Sequence, residues 1–188
     1  VAGLFGELGC LVIDSDAQVR AAYADPGVRE TLRQWWGEGV FRPDGGIDRR
    51  AVADHIFTGP SAAADRVKLE GLLHGRVAAE RDAAMAAAAA DPAVVAFVWD
   101  TPLLVETGLH AQCDAVVFVD APADVRAARV REHRGWAAGE LARRENLQLG
   151  LDNKRAMADY VIVNTADADT IRSHVRDVLS RILENRPK

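Results

Sequence analysis

Only two thiols occur in the 188 residues, Cys10 and Cys113, too few for a disulfide framework. Each borders a strand-like run and reads as a reduced thiol of a cytoplasmic protein. Long apolar stretches are equally scarce. The longest, Ala83–Ala90, falls far short of the roughly 20 residues of a membrane span, so no membrane association is expected. No secretory signal is expected from the residues before the first strand-like run. Positive charge is in the minority, with 23 Lys+Arg against 28 Asp+Glu and a net charge of −5. That balance argues against a nucleic-acid-coating surface and leaves room only for a local basic cluster. The five histidines show no metal-ligand spacing with the cysteines, so no metal site is expected from them. The chain has no G-x-S-x-G elbow, no G-x-G-x-x-G, no internal repeat and no linker.

What is present alternates. Val1, Leu4, Phe5 and Leu8 have helical spacing, and Gly9 suits a left-handed helix end; the chain thus opens in mid-pattern. Leu11–Ile13, Val94–Trp99, Ala115–Val119 and Tyr160–Val163 read as four strands, nearly all apolar. Between them lie helical patterns: about 16–23 with Asp16 as its cap, 27–36, Asp48–Phe57, Ala62–Ala90, 123–133, Glu140–Leu147, Leu151–Met157 and 168–183. Arg42–Gly46 is a turn. Apolar strands alternating with helices predict an α/β fold, a parallel sheet with helices on both faces. Ligands of such sheets sit beyond the carboxyl ends of the strands. The polar residues there are Asp14, Asp16, Asp100, Asp120 and Asn164.

Asp14-Ser15-Asp16, where strand meets helix, can hold a divalent ion, accept a proton or cap the helix. Asp100-Thr101-Pro102-Leu103-Leu104-Val105-Glu106 leaves the second strand in a direction set by Pro102. It offers an apolar wall (Leu103, Leu104) and an acceptor (Glu106), or is an ordinary loop. From Arg126 to Arg155 eight Lys/Arg face four acidic residues, a local +4 in a chain of −5. Arg126 and Arg129 share a helical face there. Guanidinium groups pair bidentately with phosphate, so this segment is either an anion site or a solvated face of ion pairs. Gly135 and Gly139, around Trp136, would let it move as a lid. His74 is a surface or core-edge histidine by its pattern alone.

In order and spacing these segments resemble the dephospho-CoA kinases, a P-loop family of the nucleoside-monophosphate-kinase type. The resemblance rests on Phe5-Gly6-Glu7-Leu8-Gly9 leading to Ile13-Asp14-Ser15-Asp16, and on Asp44-Gly45-Gly46-Ile47-Asp48-Arg49-Arg50 with Ile56-Phe57. It continues through Leu69-Glu70 with His74, Pro102-Leu103-Leu104 with Glu106, Arg129, Arg144 with Gln148 and Lys154, and Ala158–Ile162 with Asn164. It implies a three-layer kinase fold in one domain, 1–188, with an acceptor-side helical region at about 17–91 and a lid at about 126–155. It also implies transfer of the ATP γ-phosphate to the ribose 3′-hydroxyl of dephospho-CoA, with Mg²⁺ accompanying ATP. By position, Asp16 resembles the group that accepts the hydroxyl proton, and Arg129 and Arg144 the lid arginines on the transferring phosphate. Asp14, Arg49, His74, Leu103, Leu104 and Glu106 resemble the acceptor side, and Asn164, with Arg129 and Arg144, the ATP side.

Three departures stand out. Gly75 follows His74 where the family usually has Pro, and Ala166 replaces a common Gly after Asn164. Most severely, no G-x-x-x-x-G-K-[ST] occurs in these residues, so the phosphate-cradling loop and the strand before it are missing from them. The expectation is that the sequence is an incomplete piece of an active kinase and that, as it stands, it binds ATP poorly and transfers phosphate slowly. The alternatives are a non-catalytic binder of CoA or nucleotides, and another P-loop nucleotide kinase.

Overall fold

A computed structural model describes residues 1–135, 139–146 and 148–185, apart from the Arg134 side chain. Trp136 of the expected lid and the helix end expected at Leu147 lie outside the described residues. The chain divides into two compact units, one of Ile13–Asp100 and one of Val1–Val12 with Thr101–Lys188.

The first unit is mainly helical: α2 (Ser15–Ala22), α3 (Pro26–Trp36), α4 (Arg49–Phe57) and the long α5 (Ala62–Ala88), then strand β2 (Ala96–Asp100). Local signals explain the starts. Asp25 Oδ1 accepts from the Gly27 and Val28 amides at 2.9 and 3.1 Å, with Pro26 opening α3, as suits a residue without an N–H. Asp48 caps α4 as its sequence position predicts. Gly45, with φ of 78°, supplies the left-handed turn between them. Val28 and Leu32 of α3, Val40, Val52 of α4, and Leu69 and Leu73 of α5 form one buried cluster. Arg76 of α5 reaches the free Asp25 oxygen at 2.5 Å and ties α5 to the start of α3.

Asp65 is the buried charged residue among those described. The Ser61 hydroxyl beside it, with the Trp36 indole, Lys68 and His55, holds its carboxyl below the usual range against the opposing effect of burial. Leu32 is fully buried in this cluster. Leu32→Ala is expected to cost about 3 kcal/mol, through lost transfer energy and a cavity. The urea midpoint would read this, with the slope unchanged.

The second unit holds α1 (Ala2–Glu7), strands β3 (Val117–Asp120) and β4 (Tyr160–Val163), and helices α6 (Ala123–Arg134), α7 (Glu140–Glu145), α8 (Leu151–Ala156) and α9 (Ala168–Glu184). Gly9 (φ 88°) follows α1 as its spacing predicts, and strand β1 (Cys10–Asp14) leads from this unit into the other. β3 and β4 are parallel, in register from Val117 opposite Tyr160 to Asp120 opposite Val163. The Asp159 carboxylate accepts the Val116 amide at 2.7 Å beside the first pair. α9 buries Ile171, Val175 and Leu179, a stripe at four-residue intervals, and packs on β4 and α1.

The expected α/β class stands, and its hydrogen-bonded strand pairs are β1 with β2 and β3 with β4. Apolar runs identify strands but not their neighbours, because pairing is non-local. Two finer expectations need correction. Strand β4 is not covered on both faces: Ile162 is 1% exposed while Val161 and Val163 beside it are 37% and 45% exposed. Finally, Asp14 caps α2, accepting the Ala17 amide at 2.8 Å, and Asp16 lies within the first turn.

Candidate functional site

That last correction matters for chemistry. Asp14 spends one carboxylate oxygen on the cap, and the other lies 3.8 Å from Arg20. The Ser15 hydroxyl donates to the Asp100 carbonyl at 3.1 Å, fastening the end of β1 to the end of β2. Asp16, two residues beyond the cap, is exposed and has no hydrogen-bond or ion-pair partner among the described residues. The strand-to-helix junction therefore presents one committed carboxylate and one available carboxylate.

In the same unit Arg49, at the start of α4, is exposed and lies 5.4 Å from the Tyr23 ring, where a cation is attracted to the ring face. Burial pushes the Tyr23 hydroxyl upward, and Arg49 opposes that. His74 is exposed on α5. No hydrogen bond or ion pair among the described residues joins Asp16, Arg49 and His74 to one another.

In the second unit the basic segment separates into struts and free groups. Arg126 Nε donates to Glu145 Oε1 at 2.9 Å, and Nη1 donates to the Ala121 carbonyl at 2.5 Å. This binds α7 to the head of α6, so Arg126 is structural, although it shares a face with Arg129. Arg155 is paired with Asp120, the strand-end carboxylate of β3. Arg144 Nε donates to Glu140 Oε1 at 2.7 Å, and Arg143 pairs with the same carboxylate. Those two arginines, Arg143 first, hold the Glu140 carboxyl below its usual range. Arg129 differs: it is half-buried and has no partner among the described residues. A half-buried guanidinium without a counter-ion is suited to an anionic ligand. Asn164 follows β4, its backbone N–H donating to the Asp120 carbonyl at 2.7 Å.

Leu103 and Leu104 are half-buried in a turn closed on itself: the Thr107 hydroxyl donates to the Leu103 carbonyl at 2.7 Å, and the His110 amide to that of Leu104 at 3.2 Å. Glu106 lies within this turn and meets Lys154 Nζ at 2.7 Å. Sequence reasoning passed over Lys154, Gln148 and Arg126 as individual site members. The carboxylate partners lie far along the chain, 48 residues away for Lys154–Glu106 and 19 for Arg126–Glu145, beyond any local pattern. No described helix is long and apolar enough to cross a membrane.

A family model described as dephospho-CoA kinase matches residues 1–170. The dephospho-CoA kinase of Anaeromyxobacter dehalogenans is 38% identical over 99% of this chain and 90% of its own length. That of Thermobifida fusca is 33% identical over 95% and 88%. Among solved structures, a protein from Thermus thermophilus superposes with a TM-score of 0.78 at 27% identity, covering 96% of this chain and 88% of that one. The dephospho-CoA kinase from Campylobacter jejuni superposes at 0.58 over 96% and 89%; at 16% identity it bears on the fold alone.

Proposed function

The chain belongs to the dephospho-CoA kinase family, and on that premise we propose the roles its residues take. It is an ATP-dependent kinase of coenzyme A biosynthesis, with ATP and dephospho-CoA as substrates. The free carboxylate of Asp16 carries the assignment of the proton acceptor. Placed within hydrogen-bond reach of the ribose 3′-hydroxyl, it would take the proton as that oxygen bonds to the γ-phosphorus of ATP and the bond from phosphorus to the β,γ-bridging oxygen breaks, with ADP leaving. Arg129, without a partner among the described residues, and Arg144, shared with Glu140, neutralise charge on the transferring phosphate. Asp14 acts by fixing the α2 start from which Asp16 projects. Arg49, His74 and the Leu103-Leu104 turn take the acceptor, while Asn164 borders the adenine of ATP.

Mg²⁺ travels with ATP in this chemistry and requires only one or two protein carboxylates beside the phosphates. No group of three or more ligating side chains occurs among the described residues, so the ATP phosphates and water would hold the ion chiefly, with Asp16 left to take the proton. When bound, the ion supplies positive charge to the phosphates. The phosphate-cradling motif is not among these residues, so what they contribute is the acceptor and lid sides of the reaction. We assign both units to one kinase domain, with the acceptor side at about 17–91 and the lid at about 126–155, in the cytoplasm.

Acceptor competition tests the assignment. With ATP and Mg²⁺, dephospho-CoA is expected to be phosphorylated at its 3′-hydroxyl at least about 100-fold more efficiently than a nucleoside monophosphate, a difference of about 2.7 kcal/mol in transition-state binding. Equal efficiencies would move the chain to the nucleotide kinases. Dephospho-CoA binding with no transfer to any acceptor would favour the non-catalytic reading.

A further inference from the structure

The residue the functional assignment leaves over is Lys154. Its side chain is only 12% exposed, and its Glu106 partner is 21% exposed. An ammonium so far removed from water must satisfy its three donors, and this one does. It meets Glu106 Oε1 at 2.7 Å, the Pro102 carbonyl at 2.8 Å and Gln148 Oε1 at 2.9 Å. The same Glu106 oxygen accepts the Leu149 amide at 2.9 Å.

The placement of these acceptors is informative. Pro102 and Glu106 stand on either side of Leu103-Leu104, whereas Gln148 and Leu149 lie where the basic segment returns from α7 to α8. One ammonium therefore spans the turn assigned to the acceptor and the carboxyl-terminal end of the lid. Burial pushes the Glu106 carboxyl up, but the Lys154 ammonium and the Leu149 amide outweigh it and hold it below the usual range. The desolvation cost makes such a pair a poor source of stability compared with apolar packing. What it supplies is a defined geometry between two segments.

We propose that Lys154, with Glu106, is a positioning pair that sets the Leu103-Leu104 turn against the returning lid and thereby sets affinity for the dephospho-CoA acceptor. This rests on the assignment of that turn to the acceptor side. Glu106 then acts through Lys154 and the turn rather than by touching substrate. Because the turn is closed by its own hydrogen bonds, losing Lys154 displaces it as a unit rather than unfolding it. ATP, assigned to other residues, is affected less.

Steady-state kinetics with each substrate varied, on Lys154→Met, Glu106→Ala and Glu106→Gln, provide the test. Lys154→Met and Glu106→Ala are each expected to raise the dephospho-CoA KM about 10-fold while the ATP KM changes less than about 2-fold, a split that marks lost acceptor binding. Glu106→Gln, which still offers an oxygen to the ammonium and the Leu149 amide, is expected to recover most of the loss seen in Glu106→Ala. The double variant Lys154→Met/Glu106→Ala should be no worse than the poorer single one, because the two groups act as a unit. A lowered melting temperature with both KM values unchanged would overturn the proposal, as would equal rises in both.

If Lys154→Met does not fold, the Glu106→Ala and Glu106→Gln comparison decides by itself. Amide exchange is the second readout: Glu106→Ala should accelerate it at 103–110 and at 149–154 together. Acceleration at one segment alone, or at neither, rejects the coupling whatever the activity. Absence of dephospho-CoA phosphorylation by these residues, which do not include the phosphate-cradling motif, would leave amide exchange to decide the coupling.

Discussion

Asp16→Asn is expected to lower kcat about 10³-fold, within the range for loss of a general base, while the dephospho-CoA KM changes only a few-fold. Asn keeps the size and the hydrogen-bonding capacity of Asp but cannot accept the proton. The helix start offers an internal control. Asp14 makes the cap hydrogen bond, so Asp14→Ala should cost about 1 kcal/mol of stability. Asp16→Asn should leave the melting temperature almost unchanged, since Asp16 has no partner among the described residues to lose. An Asp16→Asn protein that phosphorylates dephospho-CoA at the parental rate would remove Asp16 from the reaction.

Arg129→Ala is expected to reduce kcat about 10³-fold, by analogy with the effect of arginines that neutralise a transferring phosphoryl group. Arg129→Lys should recover only part of this, because an ammonium restores charge without the planar fork. The partial recovery separates phosphate recognition from a general positive potential, which either residue would provide. Arg126→Ala would behave differently. It breaks the contacts to Glu145 and the Ala121 carbonyl, so it should loosen α7 against α6 as well as slow the reaction. Single-turnover rates with Arg129→Ala and Arg129→Lys provide the measurement; a rate within about 2-fold of parent for Arg129→Ala would exclude it from transition-state stabilisation.

Much of the local structure was legible. The cap at Asp48, the left-handed Gly9 and the turn at Arg42–Gly46 follow from short-range rules, and the structure contains them. Strand β4 runs over the residues expected, Tyr160–Val163. Which aspartate caps α2 was not legible: Asp14 and Asp16 are chemically equivalent candidates two residues apart, and a shift of the helix start by that much exchanges their roles. The pairing of strands was beyond reach for a different reason, since an apolar run such as Val161-Ile162-Val163 does not say which neighbour it meets or which face is covered.

The same division holds at the site. The order of Asp14, Asp16, His74, Leu103, Leu104, Glu106, Arg129, Arg144 and Asn164 along the chain was enough to suggest the family, because residue types at set spacings are a property of sequence. By itself the sequence also determined that a +4 segment lies within a chain of −5, and that an α/β fold supports both. Only the tertiary structure decided what each charge in that segment does. It commits Arg126 to Glu145, pairs Arg155 with Asp120, surrounds Lys154 with three acceptors, and leaves Arg129 without a partner among the described residues. The reason is physical: a charge's role depends on the counter-ion and solvent around it, and those neighbours come from positions that no local pattern connects.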